Sequence, residues 1–331
     1  MAVELHLPIV QDADPTGLLN KYALPKVAMV VIAVAAAAGC LLSTKVGGDL
    51  GYLQAVARYL LLMGVGTAAG GLLWAWHVVL PSARLVGGPE SQAYAVRQVR
   101  LFHRIQEASF LAACVGWAVL APTYWRVWGA GRLAEHAVLL GSAALILLWG
   151  GYIGWIRGHA AAEATRAARS GFWGTFGAFL TVGLLLWASG FLQVWHDSPG
   201  QWQVLVWRVL HLSAFAAWFG GAVWNVSIAV RAARENLSLP VVIMANAQLE
   251  RFRRIVRVAL PLILATGLLQ VWDYVGFTRF ALEGPFGHFV IFKLSLIALL
   301  VVIFNTCPMW HACSPIAGMC NLDDLKSGSR G

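Results

Sequence analysis

Apolar positions along this chain gather into eight runs, and polar positions fall almost entirely between them. The runs cover roughly 27–44, 57–80, 105–123, 137–156, 172–195, 203–230, 256–277 and 287–306. A helix crossing a bilayer needs about 20 apolar residues. Backbone groups in lipid must be satisfied within their own segment or in a closed barrel, and no run alternates as a barrel strand would. The pattern predicts an all-α polytopic membrane protein with eight transmembrane helices.

The two halves of the pattern match. The sixth run opens Trp207-Arg208 and continues through His211, Trp218, Gly220-Gly221, Trp224 and Asn225. About 150 residues earlier, Arg58 matches Arg208, Gly70-Gly71 match Gly220-Gly221, and Trp74 matches Trp224. Gly116 in the third run answers Gly267 in the seventh, and His136 at the start of the fourth answers His288 at the start of the eighth. Leu61 stands where the later copy has His211. Four spans return a chain to its starting side, so the copies form two parallel four-helix repeats related by an axis along the membrane normal. The organisation reads as an N-terminal segment (1–26), a first repeat (27–156), a second repeat (172–306) and a tail (307–331).

Charge adds orientation. Of the 24 Lys and Arg residues, 17 fall in the N-terminus, the 82–104 and 157–171 loops, the 231–257 region and the tail. Every loop of that parity is richer than its neighbours, which places both termini in the cytoplasm. The 231–257 region is basic and partly amphipathic, and reads as a segment lying on the anionic leaflet. The net charge of +9 is spread over alternating loops and not one patch, so no nucleic-acid partner is expected. Only 12% of residues are charged, against about 25% in soluble domains. The 16 Trp lie largely near the ends of runs, as in an interfacial belt facing lipid. The first twenty residues carry no h-region, so no cleaved signal is expected.

Three segments of the second repeat resemble the copper-resistance D (CopD) family of bacterial inner-membrane proteins. The first is Leu210-His211 followed by Ala217-Trp218-Phe219-Gly220-Gly221. The second is Arg251-Phe252-Arg253-Arg254 followed by Ala265-Thr266-Gly267-Leu268. The third is Gly287-His288 leading to Lys293-Leu294. Phe286 stands where the family has Tyr, and the spans hold few Met. The resemblance implies a multi-pass protein of the bacterial inner (cytoplasmic) membrane, handling copper with a periplasmic CopC-like partner.

Ionisable groups within a membrane are costly and mark function by default. The periplasmic half holds Gln193, His196, His211, Gln270, Asp273, His288 and Lys293, with His136 at the matching place in the first repeat. Asp273 is the expected partner of Lys293. His211, Trp218 and Asn225 recur every seven residues and share one face. His211, with His288, His196 or His136, is a candidate metal or haem ligand; a buried histidine donating to a carbonyl is the plainer alternative. In the cytoplasmic half, His77 and His103 lie on adjacent helices, with His159 at the same surface. Two such histidines can clamp a b-type haem. Glu107 is i+4 from His103 and could orient its ring. In the tail, Cys307, Met309, His311, Cys313, Met319 and Cys320 fall within fourteen residues, a soft-ligand set suited to Cu(I).

There is no Walker A sequence, nucleophile elbow or His-Glu-x-x-His, so transport, binding or electron transfer is expected and not catalysis. Three functions stand: copper uptake or transfer through a His-lined bundle; a haem-b membrane anchor passing electrons between a respiratory complex and quinone; or a structural subunit without cofactor.

Overall fold

The computed structural model describes residues 15–46, 51–128, 132–159, 167–235, 238–275 and 284–306. Among them are eight helices long and apolar enough to cross a membrane, and no strands. We number them α1 (Pro15–Val46), α2 (Tyr52–Val86), α3 (Gly88–Trp128), α4 (Leu133–His159), α5 (Ala167–Asp197), α6 (Trp202–Ala233), α7 (Leu239–Val275) and α8 (Gly284–Thr306). The fold is all-α and polytopic. The end carrying Arg58, Trp128 and His196 is called the outer end, after the Lys/Arg distribution.

The centre is built from the second and third helices of each half. Helix α2 packs on α3, α6 on α7, and α2 crosses α6. The crossing is made by the repeated glycines. A Cβ on Gly220 would lie 2.5 Å from the Gly70 Cα and 2.6 Å from the Gly71 nitrogen. With no driving force for burying apolar surface in lipid, such close backbone contact carries helix association. The flanking helices exchange partners: α4 packs on α5 and α1 on α8, each pair joining one half to the other. The exchange is uneven. Helix α5 also packs firmly on α2, and α1 leans on α2 as well as α8, whereas neither α1 nor α8 packs closely on α6 or α7.

Just past the glycines both halves widen into a π-helical turn, Ala75–Val79 in α2 and Trp224–Ala229 in α6. A π turn frees carbonyls from the regular ladder and often marks a functional site. Here the opposite half supplies donors. Arg251 of α7 donates to the Val78 carbonyl, and Tyr94 of α3 donates to the Ala229 carbonyl, at 3.3 and 3.1 Å. Around the same level, Trp74 packs on Phe252 and Trp224 on Phe102, with ring centroids 6.0 and 5.1 Å apart. Phe102 and Phe252 are themselves 150 residues apart, so the two contacts are one contact repeated.

The basic segment expected to lie on the leaflet does not stand alone. From Leu239 it is continuous with the seventh span, as one helix of 37 residues. Val241, Met244, Ala245, Gln248 and Leu249 are buried, so its apolar face is used against the bundle and not against lipid headgroups. Helix α3 extends in the same way, from Gly88, where positive φ at Gly87 and Gly88 turns the chain out of α2.

Candidate functional site

The difference between the halves seen in the sequence has a structural counterpart. In the first half Gly116 lets α3 press onto α2: a Cβ there would lie 2.6 Å from the Leu61 nitrogen. In the second half the equivalent glycine, Gly267, faces the His211 ring, with Cε1 3.5 Å from where its Cβ would stand. The imidazole occupies the seam that the first half closes with backbone.

His211 has a defined partner. Its Nδ1 lies 3.0 Å from the Thr266 hydroxyl, which donates its own proton to the Leu262 carbonyl at 2.6 Å. The ring also donates to the Ile263 backbone carbonyl beside that hydroxyl, so Nδ1 carries the hydrogen and a lone pair is left on Nε2. The Lys293 ammonium crosses to α1, 3.1 Å from where a Gly39 Cβ would stand. Arg208 and Lys293 both lie within electrostatic reach of His211 and of Cys40. Asp273, the expected partner of Lys293, forms no ion pair among the described residues, and its Oδ2 is buried without a partner. Lys293 reaches a glycine gap in α1 instead. Gln270 donates to the Thr266 carbonyl at 3.0 Å, within its own helix.

Nearer the outer surface sits a pair the sequence reading missed. Arg58 grips Asp197 with two bonds, 2.8 and 2.6 Å, both side chains essentially inaccessible. His196 donates from Nδ1 to Asp197 at 2.9 Å, since a carboxylate can only accept. The Tyr124 ring is 5.4 Å from His196 and stacks on Trp128. Gln193 is buried one turn before Asp197. The available signal was the repetition of Arg58 at Arg208 with an Asp at the end of the fifth run.

The remaining predicted ligands do not converge. His136 donates to the Arg132 carbonyl at 2.7 Å and sets its ring edge-on to Trp125. His288 is exposed at the start of α8, and His77 is exposed beside Trp76. His103 Nδ1 lies 3.4 Å from the Gln106 side-chain oxygen Oε1. Glu107 does not orient that ring; it accepts from Arg157 at 2.7 Å, a stronger charged partner from α4. Asn225 donates to the Gly221 carbonyl at 2.8 Å within the π turn, and Trp218 turns toward α8, with its ring 6.0 Å from Phe304. Among the described residues no three His, Cys, Asp or Glu form a metal group. The side chain of His159, and Cys307, Met309, His311, Cys313, Met319 and Cys320, lie outside the described residues.

No family model, curated protein or solved structure matches the chain.

Proposed function

We propose that this protein is a membrane-embedded redox subunit that holds a b-type haem through His211 in the outer half of the bundle. One observation carries the reading: a half-buried imidazole with Nδ1–H committed to Thr266 stands beside an excess of fixed positive charge. Arg58, Arg208 and Lys293 lie in this region against two carboxylates, Asp197, which is paired with Arg58, and Asp273 toward the same end. A neutral imidazole with its second nitrogen held by an acceptor suits an axial ligand. Arg208 and Lys293 suit the carboxylates that such a macrocycle carries. Bound there, the group would supply one-electron transfer at the outer side of the membrane. The chain's part is to fix the imidazole tautomer, offset the carboxylate charge and exclude water.

Copper handling is the second reading, favoured by the likeness to the copper-resistance D family. His211, Thr266-Gly267 and Lys293 come from its three segments and meet in one place, so the likeness points to a single site. A copper ion would use the His211 Nε2 lone pair. The surplus of cations opposes it, because Arg208 and Lys293, without an ion-pair partner among the described residues, raise the cost of bringing in another positive charge.

An absorption spectrum of the purified full-length protein separates the readings. A Soret band that shifts on dithionite and is lost in His211→Ala supports the haem reading. Bound copper without a Soret band, lost in the same variant, replaces it with the copper reading. Neither signal leaves a subunit without cofactor.

A further inference from the structure

The outer end contains more hydrogen-bond donors than acceptors, and they point to a ligand. Trp128 Nε1, Gln193 Nε2 and Arg208 Nε are buried donors there without a partner, and the Tyr124 hydroxyl, which accepts from the Arg58 guanidinium, keeps its own proton to donate. His196 Nε2 is also unpartnered, on a side chain only 3% exposed; with Nδ1–H donated to Asp197 it is an acceptor. They come from four helices but belong to one neighbourhood. Arg58 and His196 share Asp197. The Tyr124 ring lies 5.4 Å from both His196 and Trp128. Arg208 is within electrostatic reach of Asp197 and Tyr124. Gln193 and Asp197 are four apart on one face of α5.

Native proteins leave few buried polar groups unpaired, because each costs about 1–3 kcal/mol. Four free donors around one carboxylate, whose two oxygens are already engaged, outnumber the one free acceptor, His196 Nε2, and describe a cage short of acceptors. Its charge is also unbalanced: Arg58 and Asp197 cancel, and Arg208 leaves one positive charge. One uncompensated cation and a set of N–H and O–H donors select a monoanion with oxygen acceptors.

We propose that the cage between Arg58, Tyr124, Trp128, Gln193 and Arg208 binds a carboxylate. Trp128 and Gln193 give it direction, Arg208 supplies the compensating charge, and the Arg58–Asp197 pair forms the fixed floor. Two sources share this chemistry: a small free carboxylate reaching the cage from the outer surface, and a carboxylate arm of a haem held at His211. The second source rests on the proposed function; the first does not.

The full-length protein in detergent tests both. In one arm, acetate is titrated against thermal unfolding, with chloride at equal ionic strength as reference. In the other, binding of haem is compared with haem dimethyl ester by the Soret band. Each arm is repeated in Gln193→Leu and Trp128→Phe, which leave the Arg58–Asp197 pair intact. A midpoint that rises with acetate and not chloride, with at least tenfold weaker dependence in both variants, supports a free carboxylate. At least tenfold weaker binding of the ester than of haem, a gap that closes in both variants, supports the haem arm. An acetate effect without any Soret band retains the cage and removes the haem reading. No acetate effect together with equal binding or no binding of haem and its ester overturns the proposal, leaving water as the partner of these donors.

Discussion

Gly70 and Gly220, equivalent residues of the two halves, meet each other backbone to backbone. A methyl on Gly70 would strike the Ala216 carbonyl oxygen, and one on Gly220 would strike Gly70 itself. Neither obstacle is a flexible side-chain end, so α2 and α6 would have to separate. Overpacking costs about 1–3 kcal/mol where a core can adjust. Gly70→Ala and Gly220→Ala are expected at or above the top of that range. Gly177→Ala and Gly183→Ala should be neutral or stabilising, since nothing lies within 4 Å of their added methyls and alanine is the better helix former. Unfolding in mixed micelles reads all four. Equal stability for the Gly220 and Gly177 variants would remove the glycine crossing as the centre of the fold.

The second prediction uses a place where the halves differ within a shared pattern. Trp224 donates to the Gln98 side-chain oxygen at 2.5 Å, while Trp74 Nε1 and both polar atoms of Gln248 have no partner. All four residues are fully buried. Replacing Trp224 by Phe strands the Gln98 oxygen, a loss of about 1–3 kcal/mol beyond the lost volume. Replacing Trp74 by Phe removes a donor that was serving nothing. The two variants should therefore differ in unfolding free energy, with Trp224→Phe the less stable. If Trp74→Phe costs as much, the Trp74–Gln248 pair is bonded in solution and the halves are more alike than this structure has them.

Periodicity and spacing gave the helices, because an apolar run in lipid has few ways to satisfy its backbone. The repeated spacing was visible because glycines, arginines and tryptophans stand out against an aliphatic background. What the repeat does was hidden, since matching residues in two copies says nothing about whether they touch. Phe102 with Phe252 and Gln98 with Gln248 were equally visible at the same spacing, but Phe and Gln look ordinary one copy at a time. The Lys293–Asp273 pairing failed because depth alone does not set azimuth: both residues lie toward the outer end, yet Lys293 reaches α1. Glu107 failed as the orienter of His103 because a carboxylate takes a guanidinium from another helix over a ring on its own. Thr266 was within a quoted motif, but its hydroxyl could be assigned to His211 only once α6 and α7 were brought together.

The Arg58–Asp197 pair supports a third prediction. Removing one member of a buried ion pair leaves an uncompensated charge and costs about 3–5 kcal/mol, whereas replacing both by apolar residues is often close to neutral. Asp197→Asn and Arg58→Gln should each destabilise strongly. Arg58→Met combined with Asp197→Leu should recover most of the loss, although His196 then loses its acceptor. A double-mutant cycle on unfolding free energies measures the coupling. Additive effects would mean that the pair, despite its geometry, is separately solvated.

The last prediction concerns the one feature that separates the second half from the first at the seam. Thr266 accepts from His211 while spending its own proton on Leu262, so its hydroxyl fixes which imidazole nitrogen is free. Thr266→Val keeps the shape and removes the acceptor. The ring is then released to rotate or change tautomer, and a ligand bound through Nε2 should weaken about 10- to 100-fold, as outer partners of metal-bound histidines do. Thr266→Ser restores an oxygen at the same place and should restore most of the affinity. The readout is the Soret band on haem titration, or retained copper where no band forms, with unfolding measured beside it to show that the fold survives. Full binding in Thr266→Val would show that the Ile263 carbonyl and packing against Gly267 set His211 without the threonine oxygen. Loss in both variants would show that the threonine methyl, and not its oxygen, shapes the seam.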